Sequence, residues 1–297
     1  MENKINDFLK PRRVAIISVI LIIAALFVFF LFSAESYLKV DVLVIWAFAS
    51  LAVLYQSGTV GKPLSKNIRI FVIILGILLC VLSFVNVPLG FGNPPYSIGD
   101  FSLLLSGIGL IVFGILRFDS FIVPITLPAI AVIGFQIYEL FLRHQDWITA
   151  PLIPVTVTIA VTLLHLLGIP AISNDNTISF FSVDGAPIHL TIVPDCTGIW
   201  SLGTFTITVL IVVCNFPMAR TKKAALLIGI GYIGTYIANH LRILLIGLSG
   251  YFYGPSGLIE DVHIHIGWII FTLWMIIFWY YFFTRQLEFS FWSKTRS

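Results

Sequence analysis

Charge is scarce in this chain. Asp, Glu, Lys and Arg make up 10% of its 297 residues, whereas 59% are hydrophobic and mean hydropathy is +1.02. A soluble domain of this length needs far more charge to solvate its surface, so that class is excluded. Cysteine is equally sparse: Cys80, Cys196 and Cys214 are too few for a disulfide framework and have no metal-ligand spacing. Internal repeats and low-complexity linkers are also lacking, which leaves one membrane domain over 1–297. The net charge is only +3, and the basic residues sit in short flanks rather than in a patch, so no nucleic-acid partner is expected.

What is abundant is apolar sequence. Runs fall near 14–33, 38–56, 69–88, 98–116, 121–141, 150–169, 197–217, 224–250 and 262–283. Most approach the ~20 residues that cross about 30 Å of hydrocarbon as a helix, the chain form that satisfies its own backbone there. The first run follows Lys10-Pro-Arg-Arg and exceeds a signal-peptide core, so it reads as an uncleaved first span.

Nine crossings conflict with charge. The flanks Lys4/Lys10/Arg12/Arg13, Lys62/Lys66/Arg69, Arg220/Lys222/Lys223 and Arg285/Lys294/Arg296 should all be cytoplasmic. An odd number of crossings would divide them between the two sides. Run 150–169 resolves the conflict if it lies at the outer surface, for it holds Pro151, Pro154, His165 and several threonines and ends at Gly168-Ile-Pro170. The expected fold is therefore an all-α polytopic membrane protein with about eight transmembrane helices and an outer-face re-entrant or interfacial helix. Both termini are then cytoplasmic, in a plasma membrane. Only Lys39, Arg143 and Arg242, three of 17 basic residues, escape the cytoplasmic side.

The segment from Arg143 to Asp195 is then extracytoplasmic. Within 171–195, Thr177 to Ser182 alternates, Asp184-Gly185 marks a turn, and Ile188 to Val193 resumes alternation. This predicts a small extracytoplasmic β-hairpin that delivers the chain to Cys196.

Depth along the helices then selects residues. Cys196 stands at the outer end of the helix that begins at Thr197. Arg242 lies 18 residues into the helix from Ala224, about 27 Å along its axis, in the outer third of the bilayer. His263 and His265 open the last helix, also on the outer side. Cys214, about 27 Å below Cys196, cannot partner it. A thiol at a helix N-terminus near cations is activated. A guanidinium at membrane depth is costly unless it is paired or solvated. Asn239, three residues before Arg242, shares its face and can orient it, whereas His240 points elsewhere and reads as a buried, hydrogen-bonded histidine. Asp195 opposes thiolate formation unless it caps the helix. Gly198 permits close approach of a substrate backbone, and Gly267 clears space for a neighbouring helix or a substrate. His263, on the face of Gly267, is favoured as the imidazole over His265, which remains the alternative.

These residues resemble the exosortase/archaeosortase family of membrane cysteine transpeptidases. The resemblance rests on Cys196-Thr197-Gly198, Asn239-His240-Leu241-Arg242 and His263-Ile-His-Ile-Gly267-Trp268, in that order, preceded by the Leu163-Leu-His-Leu-Leu-Gly-Ile-Pro170 run. It covers about 98–283. It implies cleavage of a C-terminal sorting signal, made of a short Pro- or Gly-containing motif, an apolar helix and a basic tail, on exported proteins. Transfer to a lipid or another amine-bearing acceptor would follow at the extracytoplasmic face. Cys196 would attack to form a thioester, Arg242 would hold the oxyanion or thiolate, and His263 would move the proton. No metal or organic cofactor is implied. The competing readings are a transporter, which predicts polar residues through the bilayer midplane, and a non-catalytic scaffold for envelope assembly.

Overall fold

The computed structural model describes residues 11–32, 40–57, 64–86, 88–89, 97–116, 118–137, 150–255 and 257–286. Lys4, Lys10, Lys39, Lys62, Arg143, Lys294 and Arg296, which carry part of the charge argument, lie outside them.

The described helices are α1 (Pro11–Phe32), α2 (Val40–Gln56), α3 (Lys66–Val85), α4 (Ile98–Leu116), α5 (Ile122–Ile137), α6 (Leu152–Leu166), α7 (Ile199–Asn215), α8 (Lys222–Tyr253) and α9 (Gly257–Gln286). Strands β1 (Ile172–Asn174), β2 (Thr177–Phe181) and β3 (Pro187–Thr191) lie between α6 and α7. Each helix coincides with an apolar run. Among the described residues, α1, α3, α4, α8 and α9 are long and apolar enough to cross a membrane, and α2, α5, α6 and α7 are shorter apolar helices. The run read as interfacial, α6, has 15 residues.

Local chemistry sets several ends. Ser65 caps α3 by accepting from the Ile68 N–H at 3.4 Å, and Thr221 caps α8 by accepting from the Ala224 N–H at 3.1 Å. α8 therefore starts two residues before the expected Ala224 and runs for 32 residues. α9 starts at Gly257 rather than near 262.

The chain divides into two compact units, 1–137 with 206–217 and 138–205 with 218–297. In the first, α3 and α4 approach through glycines: a Cβ on Gly76 would lie 2.7 Å from the Gly107 carbonyl oxygen. Small residues at such a seam let backbones close on each other where no hydrophobic force separates helix from lipid. Buried Asp100 in the first turn of α4 accepts from Asn86 Nδ2 at 2.8 Å and from the Ser97 N–H at 3.1 Å. Ser97 Oγ in turn accepts from the Asp100 N–H at 3.3 Å, forming a reciprocal cap. Trp46 donates its indole N–H to Ser102 Oγ at 2.7 Å. The Asp100 carboxylate and the Trp46 indole N–H thereby find partners inside the core.

In the second unit, α8 and α9 pair along a glycine-rich seam. Gly231 abuts Phe278, Thr235 accepts from the Trp274 indole N–H at 3.0 Å, Gly267 abuts Arg242, and Gly250 faces Ile259. Partners descend along α9 as they ascend along α8, so the two helices run antiparallel.

The sheet corrects the expected hairpin. Its order is β1-β2-β3, both pairs antiparallel, so a third strand precedes the two expected ones. β1 has three residues, and its turn to β2 uses Asp175 at φ 51°. So short a strand carries too little alternation to show in sequence. Ile178, Phe180 and Ile188 point into a core shared with Val157, Ala160 and Leu164 of α6 and Ile243 of α8. The sheet is fastened to the end of α8 by the Val183 N–H, which donates to the Tyr251 carbonyl at 2.9 Å.

Candidate functional site

The chain leaves β3 through Ile192 and Val193 and enters one turn of 3-10 helix, Pro194–Thr197. Cys196 is in this turn, not in the first turn of an α-helix as expected. Gly198 follows at φ 84° and separates the turn from α7. The thiol-bearing residue is buried, 9% exposed, within the apolar cluster under the sheet. Two internal bonds hold the turn: the Cys196 N–H donates to the Val193 carbonyl at 2.8 Å, and the Thr197 hydroxyl donates to the Pro194 carbonyl at 2.6 Å.

Asn239 supplies the external restraint. Its Nδ2 donates to the Cys196 carbonyl at 2.8 Å, a buried bond across 43 positions of sequence. The bond accounts for Gly198, where a Cβ would lie 2.9 Å from Asn239 Cγ and the backbone already needs a left-handed conformation. The space at Gly198 is therefore taken by Asn239 rather than left for substrate. Asn239, expected to orient Arg242, binds the turn that carries Cys196 through its amide Nδ2. Asp195 lies inside the 3-10 turn. Its Oδ1 accepts from the Trp200 indole N–H at 3.1 Å, and Val193 is the residue at the turn's N-cap position, without a side-chain bond.

Arg242, one turn beyond Asn239, reaches across to α9. Its Nη2 donates to the main-chain carbonyl of His263 at 3.3 Å. The guanidinium lies against Gly267, where a Cβ would sit 2.6 Å from Nε and 3.0 Å from Cζ. The cleared space at Gly267 is thus filled by Arg242. The Nε–H is buried and has no hydrogen-bond partner among the described residues. It remains a charged donor fixed by packing.

His263 and His265 are both exposed, in the second and third turns of α9. His263 precedes Gly267 by four residues and so shares the face on which Arg242 lies. His265 is turned to Trp268, whose indole N–H donates to its Nδ1 at 3.4 Å. His240 is buried, 4% exposed, with Nδ1 at 2.8 Å from the Tyr236 carbonyl, as the sequence suggested. Among the described residues, no group of three or more His, Cys, Asp and Glu side chains is arranged to hold a metal ion.

Cys196, Asn239, Arg242, His263 and His265 all belong to the second unit. Over residues 39–280 the sequence matches the family described as transmembrane exosortase. The chain belongs to that family. Its membrane character follows from the family and from the apolar helices together. No curated protein and no solved structure matches the chain. The transmembrane exosortase match spans α2 to α8 whole and α9 as far as residue 280, and with them every residue of the candidate site.

Proposed function

We propose that this transmembrane exosortase is a cysteine transpeptidase acting on the C-terminal sorting signals of exported proteins. The supporting observation is the chain of contacts from nucleophile to cation. The carbonyl of Cys196 is held by Asn239, and Arg242 one turn further is laid on the His263–Gly267 turn with an unpartnered buried N–H.

In this reading the Cys196 sulfur forms a bond to the scissile carbonyl carbon as its proton passes to His263. Negative charge collects on the carbonyl oxygen and meets the guanidinium of Arg242. Collapse breaks the C–N bond, His263 returns the proton to the departing amine, and the thioester remains. An amine-bearing or lipid acceptor then attacks the thioester and releases Cys196. The basic tail and apolar helix of the substrate would cross the membrane beside the enzyme and bring the scissile bond to the depth of Cys196. This reading keeps the eight-span topology, with both termini cytoplasmic and the site at the extracytoplasmic face.

The test is Cys196→Ala at matched membrane abundance, with an epitope-tagged sorting-signal protein as substrate. Loss of the processed form is expected. Processing at the wild-type rate overturns the thioester route and leaves the scaffold reading.

A further inference from the structure

Strand β3 is an edge of the sheet and leads straight into the turn that carries Cys196. The direction of its main-chain groups follows from the ladder. The Ser182 N–H donates to the Ala186 carbonyl at 2.9 Å, and the Ile192 N–H to the Asn176 carbonyl at 2.8 Å, which brackets the β2–β3 pairing. Between those ends Phe180 pairs with Ile188 and Ile178 with Leu190. Hydrogen-bonded and non-hydrogen-bonded pairs alternate along an antiparallel ladder. Ile188, Leu190 and Ile192 therefore turn their N–H and C=O groups toward β2, and His189 and Thr191 turn theirs away.

Two side-chain contacts agree with this parity. Ser179 Oγ lies 2.9 Å from His189 Nδ1, and Thr177 Oγ1 lies 3.2 Å from Thr191 Oγ1. Such close cross-strand approach belongs to non-hydrogen-bonded pairs. Among the described residues, the main chains of His189 and Thr191 make no backbone hydrogen bond outside the sheet, and both residues are exposed. Pro187, the next residue of the same parity, has no N–H, so the row of outward donors begins at His189. The row thus ends beside the nucleophile: Thr191 stands five positions before Cys196.

We propose that the outward edge of β3 is the docking strand for the substrate, which adds to the sheet as a fourth strand through the peptide segment just N-terminal to its scissile bond. Unpaired edge groups template the addition of an extended peptide, with main-chain bonds giving affinity and alternate side chains giving selectivity. The direction is fixed by chemistry. The acyl side of the scissile bond must end at Cys196, and β3 also ends there, so the added strand runs parallel to β3. The proposal rests on the reading of Cys196 as nucleophile.

The probe is a tagged exported protein with a motif, apolar helix and basic tail that the wild-type enzyme processes. His189→Pro and Thr191→Pro each delete one outward donor of β3. Ser173→Pro deletes an outward donor of β1, the opposite edge, because Ser173 pairs with Ile178, whose main chain serves β3. The β3 variants should each process up to about tenfold more slowly, the loss of one main-chain hydrogen bond, and Ser173→Pro should stay within about twofold of wild type.

A second measurement does not depend on proline tolerance. On a Cys196→Ala background, His189→Cys and Thr191→Cys should form disulfides with single cysteines at alternate substrate positions before the scissile bond, and with none after it. Equal slowing by all three prolines, or cross-links without alternation, overturns the docking strand. If Cys196→Ala abolishes processing while the β3 variants process normally and do not cross-link, only the docking strand fails. If Cys196→Ala processes normally, the transpeptidase reading itself fails.

Discussion

The side-chain amide of Asn239 donates to the main-chain carbonyl of Cys196 at 2.8 Å, and Gly198 is the residue that lets it come so close. Gly198→Ala adds a Cβ 2.9 Å from Asn239 Cγ, at a φ of 84°. A left-handed backbone costs about 1–2 kcal/mol for a residue with a Cβ, so processing should slow about tenfold or more while the protein still inserts. Combining Gly198→Ala with Asn239→Ala should cost less than the sum of the two, because the second change removes the clash. Processing half-times at equal membrane abundance measure this, and strict additivity would contradict the contact.

Asn239→Asp keeps the shape but sets an oxygen against the Cys196 carbonyl oxygen. Breaking one partner of a buried hydrogen bond costs about 1–3 kcal/mol, and the like-polarity contact adds to it. The Asp variant should therefore be less active and less heat-stable in detergent than Asn239→Ala. The reverse order would mean that the bond does not hold the turn.

Gly267→Ala should mimic loss of Arg242, since the new methyl would occupy the place of Nε at 2.6 Å. Its processing rate should fall to within about threefold of that of Arg242→Ala, and the double variant should be no worse than either alone. Gly229→Ala on α8 is the control, because a Cβ there meets nothing within 4 Å. A wild-type rate for Gly267→Ala would show that the guanidinium position is not needed.

His263→Ala should abolish processing, whereas His265→Ala should retain at least about half of it, since His265 is committed to Trp268 at 3.4 Å. Pulse-labelled substrate in the two strains separates these outcomes. A dead His265→Ala protein beside an active His263→Ala protein reverses the assignment.

Much of this architecture was legible because apolar runs report solvent, residue by residue. The runs found every described helix, and alternation after Thr177 and after Ile188 found β2 and β3. The Asn-x-x-Arg spacing put Asn239 and Arg242 on one helical face before any coordinates. What spacing could not show is which distant group meets that face. The partner of Asn239 is a main-chain oxygen 43 positions earlier, and a carbonyl leaves no signature in side-chain identity. Gly198 and Gly267 were legible as gaps, yet what fills a gap is a tertiary matter. In both cases the occupant is a member of the site itself.

The 32-residue length of α8 has a consequence for substrate choice. At about 1.5 Å per residue it is roughly 48 Å long, longer than the hydrocarbon layer it would cross. One unbroken rod carries Asn239 and Arg242 and then Gly247, Gly250 and Tyr251, against which α6 and the sheet rest. The vertical offset between guanidinium and strand edge is therefore constant, and so is the angle between them about the rod. On the proposed transpeptidase reading, such a rod gauges residue count: a sorting signal with one residue inserted or removed between its docked segment and the cleaved bond would no longer be processed.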